Sequence, residues 1–110
     1  MTETVIVWHN PRCSKSRAAL AHLEARGITP EVRQYLKDAP SEAEIRAMLA
    51  ALGIGAADLL RKEGAALKGQ DEGAIIAAMA ADSALIERPL IRVGDRAVIG
   101  RPTEAIDSLF

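Results

Sequence analysis

The apolar run Val5–Trp8, which precedes a helical pattern, is the feature that most constrains the fold. Consecutive β-branched and aromatic residues are typical of a strand covered on both faces, and we predict this strand over Thr4–Trp8. A helix follows over Ser14–Arg26, with Gly27 as its stop signal, and a weaker pattern predicts a second strand over Glu31–Tyr35. This order requires a parallel pair of strands joined by a crossover helix.

Helical patterns occupy the middle of the chain. Ser41 and Glu44 form a capping box at the start of one helix, and further helices are predicted over Ala56–Lys62 and Asp71–Ala80. The apolar residues of the first of these recur at helical spacing: Ile45, Met48, Leu49 and Leu52.

A hairpin is predicted near the C-terminus. Leu90–Val93 and Arg96–Ile99 flank Gly94-Asp95, a turn typical of antiparallel strands. Pro102 is expected in the first turn of a final helix that ends near Phe110. The whole pattern predicts an α/β fold with a mixed four-stranded sheet, β-α-β followed by inserted helices and β-β-α, in a single domain over residues 1–110.

Composition excludes several classes of function. The net charge of −1 gives no reason to expect nucleic acid or an anionic membrane as a partner, and the few aromatic residues do not form a base-stacking platform. The longest apolar stretch, Ala74 to Ala81, is far too short to span a membrane. A lone cysteine cannot form an internal disulfide, and Glu3 is followed at once by a strand pattern and not by a secretory signal. We therefore expect a cytoplasmic location, and we also expect the protein to be a monomer.

Cys13, the only cysteine, lies between the first strand and the first helix. Helix-end N–H groups and nearby positive charge both stabilise a thiolate relative to the thiol. Arg12, Lys15 and Arg17 supply that charge and argue against the alternative, a cysteine buried as a small apolar residue. We predict a pKa well below the usual value of about 8.5, and a nucleophilic role.

The spacing around this cysteine excludes other chemistries. Ser16 stands where a C-x-x-C dithiol needs its second cysteine, and Ala19 stands where a phosphate-binding C-x5-R loop needs its arginine. His9 and His22 do not form a recognisable metal-ligand spacing with the cysteine, so no metal is predicted. We expect His22, in mid-helix, to be structural or exposed.

Arg61, Arg88 and Arg101 are further candidates for the site. Taken singly, each would be a solvated surface charge. Arg88 and Arg101, however, each precede a proline at the boundary of a predicted element. Guanidinium groups bind tetrahedral oxyanions through paired donors, so a thiolate beside several arginines indicates a nucleophile that attacks a bound oxyanion.

The element order, with Cys13 just after the first strand and Pro89 just before the third, resembles the thioredoxin/glutaredoxin fold, in which that proline is cis and faces the cysteine. Five segments resemble a particular family, in order along the chain: His9 to Arg17, Tyr35-Leu36, Leu59 to Lys62, Arg88-Pro89 and Gly100 to Pro102. By these segments the chain is similar to the glutaredoxin-coupled bacterial arsenate reductases. Arg12 stands where some members of that family have a smaller residue.

The resemblance implies that arsenate is reduced to arsenite through a covalent thiol–arsenate adduct on Cys13. It implies glutathione as co-substrate and glutaredoxin as the partner that resolves the mixed disulfide, with no tightly bound cofactor. The implied substrate-binding residues are Arg61, Arg88 and Arg101. His9 and Ser16 match flanking positions that would favour the thiolate, with Pro89 in a supporting place, although His9 could equally cap the loop.

Two other functions remain open. One is a glutathione-dependent thiol or deglutathionylating reductase that acts on another substrate. The other is a non-enzymatic regulator of the Spx type, which resembles this fold and contacts RNA polymerase. Such regulators usually carry a C-x-x-C switch, absent here, and do not need all three arginines.

Overall fold

The structure, a computed structural model, describes residues 4–110. Glu3, which supports the expectation that no secretory signal is present, lies outside the described residues. The strands are β1 (Val5–Trp8), β2 (Glu31–Arg33), β3 (Leu90–Val93) and β4 (Arg96–Ile99). The α-helices are α1 (Ser14–Ala25), α2 (Glu42–Leu52), α3 (Ala56–Leu59) and α4 (Glu72–Ala81), and 3-10 helices cover Lys62–Leu67, Ser83–Leu85 and Thr103–Leu109.

The four strands form one mixed sheet in the order β2-β1-β3-β4. β1 is parallel to β2 and antiparallel to β3, and β4 is antiparallel to β3. Val93 pairs with Arg96 across the tight turn, where Gly94 has a φ of 61°, a backbone conformation that glycine adopts without strain. The predicted mixed sheet and hairpin are confirmed.

Alternate residues of the strands pack on opposite faces of the sheet, as the two-residue period of a strand requires. On one face Val7 and Ile91 pack against Leu23 of α1 and Ile106 near the C-terminus. On the other face Trp8 belongs to a second apolar cluster formed with α2, α3 and α4. β1 is therefore covered on both faces, which confirms the prediction from its continuous apolar sequence.

The capping box at the start of α2 is formed as predicted. The Ser41 hydroxyl accepts a hydrogen bond from the Glu44 N–H at 3.1 Å, and the Glu44 carboxylate accepts one from the Ser41 N–H at 3.0 Å. Glu44 also binds Arg33 at the end of β2, with Nη2 to Oε1 at 3.2 Å. The hydrogen bond from Arg33 is the largest of the causes that lower the pKa of Glu44 to about 2.

The helix predicted over Ala56–Lys62 is wrong in its second half. α3 ends at Leu59, and Leu60 adopts an extended conformation and forms an antiparallel bridge with Ile86. A 3-10 helix then begins at Lys62. The backbone of this segment pairs with a distant part of the chain, and that pairing displaces the continuation of the helix.

Other boundaries shift by smaller amounts. β2 ends earlier than predicted because the Gln34 carbonyl accepts hydrogen bonds from the N–H groups of Lys37 and Asp38, at 3.0 and 2.9 Å. The final helix is a 3-10 helix over Thr103–Leu109, and Pro102 precedes it instead of lying in its first turn. None of the helices within residues 4–110 combines the length and the apolar composition needed to cross a membrane.

Candidate active site

Cys13 lies in the connection between β1 and α1, immediately before the first helical residue. Its N–H donates to the Asn10 carbonyl at 2.9 Å, and its carbonyl accepts from the Arg17 N–H at 3.0 Å. The Asn10 side-chain oxygen accepts from the Arg12 N–H at 3.0 Å, and the Asn10 N–H donates to the Ser16 hydroxyl at 3.3 Å. These bonds fix the turn and place the thiol at the helix end, where N–H groups lack helical partners.

Burial raises the pKa of Cys13, but other interactions outweigh it. The Ser16 N–H, the Ser16 hydroxyl and the Lys15 N–H all stabilise the thiolate by hydrogen bonding, and the charge of Arg88 adds to them. Together they lower the pKa to about 7. A thiol with this pKa is about half ionised at neutral pH, in agreement with the prediction from sequence.

The groups that stabilise the thiolate differ from those expected. Cys13 is only 8% exposed, but polar donors surround its sulphur, so it is not buried as a small apolar residue. The side chains of Arg12, Lys15 and Arg17 are exposed, and Arg17 donates to the Pro11 carbonyl at 2.9 Å. Successive side chains of a helical turn point in directions about 100° apart. The side chains next to Cys13 in sequence therefore point in directions different from that of its thiol.

His9 follows β1 and is 6% exposed. Burial, and then the charge of Arg17, hold the pKa of His9 below its usual value of 6.5. The ring is therefore neutral at neutral pH, and a neutral imidazole does not attract the thiolate as a cation. Its Nδ1 is buried and has no hydrogen-bond partner among residues 4–110. The His9 N–H donates to the Arg33 carbonyl at 2.8 Å and so continues the pairing of β1 with β2.

Arg88 and Arg101 lie together beside the thiol. Arg101 Nη2 is 3.7 Å from the Cys13 sulphur, and Arg101 Nε donates to the Arg88 carbonyl at 2.7 Å. The Arg88 side chain is 15% exposed, and its contact with Glu87 is long, at 3.8 Å. Arg88 Nε is buried without a hydrogen-bond partner among the described residues. Leaving a buried charged donor unpaired is costly, so this arrangement favours an anion that completes it.

Arg61 comes close to this group through the bridge between Leu60 and Ile86, which places it beside the segment that leads to Arg88. Its carboxylate partner is closer than the Glu87 partner of Arg88, because Arg61 Nε is 3.1 Å from Glu63. Part of the donor capacity of Arg61 is therefore already in use.

Tyr35 is a site residue whose role the sequence did not predict. Its side chain is almost completely buried, and that burial is the largest cause that raises its pKa. The charges of Arg88 and Arg61 oppose the rise, while Cys13 and Glu87 reinforce it. The Tyr35 phenol is therefore within electrostatic range of the thiol and of two of the arginines. The available signal was the Tyr35-Leu36 segment of the resemblance.

Pro89 packs against Gly100, the residue that directly follows β4. The bond between Arg88 and Pro89 is cis, as predicted. The Gly100 N–H donates to the Pro89 carbonyl at 2.9 Å. A Cβ at Gly100 would lie 2.9 Å from Pro89 Cγ and 2.9 Å from Ile91 Cδ1, so a glycine is required for this close approach. Gly100 directly follows β4, so this close approach fixes the backbone position from which the next residue, Arg101, extends.

The site thus combines a thiol that ionises near neutral pH with guanidinium donors. The thiolate can act as a nucleophile, and the guanidinium groups can bind the oxyanion that it attacks. Among residues 4–110, no group of three or more His, Cys, Asp or Glu side chains is placed to hold a metal ion.

Comparisons with known proteins agree with this geometry. The model of the ArsC family matches residues 8–109. An arsenate reductase of Neisseria meningitidis serogroup A is 40% identical over 112 residues, which cover 94% of this chain and 96% of that protein. An arsenate reductase of Haemophilus influenzae is 38% identical, with 94% and 96% covered. The solved structure of an arsenate reductase from Vibrio cholerae superposes with a TM-score of 0.92 at 35% identity and covers 100% of both chains.

Proposed function

The chain belongs to the ArsC family, and from this membership we propose that it is an arsenate reductase that uses Cys13 as its nucleophile and an external thiol for recycling. The observation that carries the proposal is the pairing of two features. A thiol with a pKa of about 7 lies beside Arg88, whose buried Nε lacks a partner among residues 4–110. The first feature suits a nucleophile and the second suits the oxyanion it attacks.

In the first step the Cys13 thiolate attacks the arsenic atom of arsenate. A sulphur–arsenic bond forms, and one arsenate hydroxyl group takes up a proton from the solvent and leaves as water. Arg88 and Arg101 donate to the remaining oxygens, with Arg61 as a further donor, and such charge-assisted bonds contribute about 1.5–3 kcal/mol each. A guanidinium suits this role because its paired N–H groups match two oxygens of a tetrahedral anion.

In the second step an external thiolate, which we take to be glutathione, attacks the Cys13 sulphur. The sulphur–arsenic bond breaks and its electron pair stays on arsenic, so arsenic(V) becomes arsenic(III) and is released as arsenite. The two sulphur atoms are each oxidised by one electron and remain joined as a mixed disulfide. A second thiol of this chain cannot serve, because Cys13 is the only cysteine.

In the third step a glutaredoxin thiolate attacks the glutathione sulphur of the mixed disulfide. The Cys13 thiolate leaves and is ready for another cycle, and glutathione remains on the glutaredoxin. This cycle requires no resident metal or prosthetic group. We also propose that the protein acts in the cytoplasm, where glutathione is plentiful, and that it acts as a monomer.

Arsenate-dependent oxidation of NADPH tests the proposal, in a mixture that contains glutathione, glutaredoxin and glutathione reductase. The wild-type protein should support arsenate-dependent NADPH oxidation over many turnovers, and the Cys13→Ser variant should not. Thioredoxin with its reductase, offered in place of the glutathione system, should support little turnover. Multiple turnovers with thioredoxin alone and no small thiol would show that the external-thiol cycle is wrong.

A parallel assay addresses the alternative reductase. A glutathionylated protein replaces arsenate in the same mixture, and NADPH oxidation is followed again. Turnover that depends on Cys13 with this substrate, and none with arsenate, would favour the deglutathionylating function over arsenate reduction.

A further inference from the structure

A hollow of about 220 Å³ opens between the loop that carries Cys13 and the turn that follows β2. One wall is this loop and the other is the turn that follows β2. The lining side chains come from both walls: His9, Asn10, Pro11, Arg12, Gln34, Leu36 and Lys37. The sulphur of Cys13 is not among the lining atoms, so the hollow is a neighbour of the thiol site described above.

The chemistry of the hollow is that of a site for a small anionic peptide. Arg12 and Lys37 are both exposed, and neither forms an ion pair within residues 4–110. Leu36, which is 44% exposed, and Pro11 add apolar surface to the same hollow. Gln34 adds an amide that can donate to and accept from a peptide group.

We propose that this hollow binds the thiol co-substrate, a tripeptide of the glutathione type, with its carboxylates on Arg12 and Lys37. The assignment rests on the proposed function, which requires an external thiol. Charge complementarity selects the occupant, because glutathione carries carboxylates at both ends and arsenate is already accommodated by the other arginines. In this assignment Arg12 serves the second substrate and not the thiolate of Cys13.

The distances allow the reaction. Arg12 immediately precedes Cys13, and adjacent Cα atoms lie about 3.8 Å apart. An extended peptide spans about 3.3–3.6 Å per residue, so a tripeptide is about 10 Å long. The hollow therefore lies within about one tripeptide length of Cys13, as a site for the attacking thiol requires.

The attack of Cys13 on glutathione disulfide tests the hollow without arsenate. The thiolate displaces one glutathione, and a mixed disulfide forms on Cys13. Hydroxyethyl disulfide undergoes the same exchange but carries no charge. The quantity measured is the ratio of the two rate constants, because any change in the reactivity of the thiol itself affects both reagents and cancels.

Arg12→Gln and Lys37→Gln should each lower this ratio about threefold, and the double variant about tenfold, as expected for exposed charge pairs. The effect should shrink at high salt, which screens exposed charges. Lys68→Gln is the matched control, since Lys68 is exposed and does not line the hollow. Binding of S-methylglutathione, measured by calorimetry on the reduced protein, should weaken by the same factors.

An unchanged ratio in the double variant, or equal losses in the Lys68 control, would overturn the assignment. If the ratio fell in the double variant but the wild-type protein did not turn over arsenate, the thiol site would be retained and arsenate would be rejected as the substrate. If the double variant lost arsenate turnover while the ratio stayed unchanged, arsenate would be retained as the substrate and the thiol site would be rejected.

Discussion

Ser16→Ala tests the origin of the reactive thiol. The Ser16 hydroxyl stabilises the Cys13 thiolate and accepts a hydrogen bond from Asn10 at 3.3 Å, and its side chain is fully buried. A hydrogen bond to a charged group contributes about 1.5–3 kcal/mol, and one pKa unit corresponds to about 1.36 kcal/mol. Loss of the hydroxyl should therefore raise the pKa of Cys13 by about one to two units from its value of about 7.

At pH 7 the thiolate fraction should fall from about one half to about a tenth or less. The pH dependence of thiolate absorbance gives the midpoint directly, and the rate of alkylation by iodoacetamide at pH 7 should drop at least about fivefold. The variant should also lose about 1 kcal/mol of unfolding free energy, because the Asn10 N–H is left without its acceptor.

Ser14→Ala is the matched control. Ser14 is exposed in the same turn of α1 and is not among the residues that shift the pKa of Cys13. It should titrate as the wild type does. If Ser16→Ala kept the wild-type midpoint while remaining folded, the hydroxyl would not be a source of the lowered pKa, and the reasoning would fail.

Three further outcomes are expected. Arg88→Lys and Arg101→Lys should each lower kcat/KM for arsenate at least about tenfold with little change in Tm, because an ammonium does not reproduce the paired donors of a guanidinium; wild-type kinetics in both would refute this. Gly100→Ala should cost about 1–3 kcal/mol of unfolding free energy, because its Cβ would lie 2.9 Å from Pro89 and Ile91; an unaltered Tm would contradict the close approach. Glu44→Gln should destabilise the protein at pH 7 by about 1 kcal/mol, discounted for exposure. The pKa of Glu44 is lowered from 4.5 to about 2, so this contribution is complete above pH 4.5 and is lost as the pH falls towards 2; denaturant melts in which the wild type and the variant differ equally at pH 7 and pH 2 would refute the ion pair.

Local patterns in the sequence were sufficient for most of the framework. The hairpin around Gly94, the capping box at Ser41 and the buried β1 depend on neighbouring residues, and all three are confirmed. The number of cysteines alone determined that Cys13 has no internal partner. The ordered motifs also identified the family before any distance was known.

Long-range contacts decided what the local patterns could not. The helix predicted through Lys62 stops at Leu59 because Leu60 pairs with Ile86, a contact between segments far apart in sequence. The charges predicted to activate Cys13 point to solvent, and Ser16 and Arg88 act instead. Sequence proximity reports which charges are near the backbone of a residue, but only packing determines which side chains share its environment and how strongly burial opposes its ionisation.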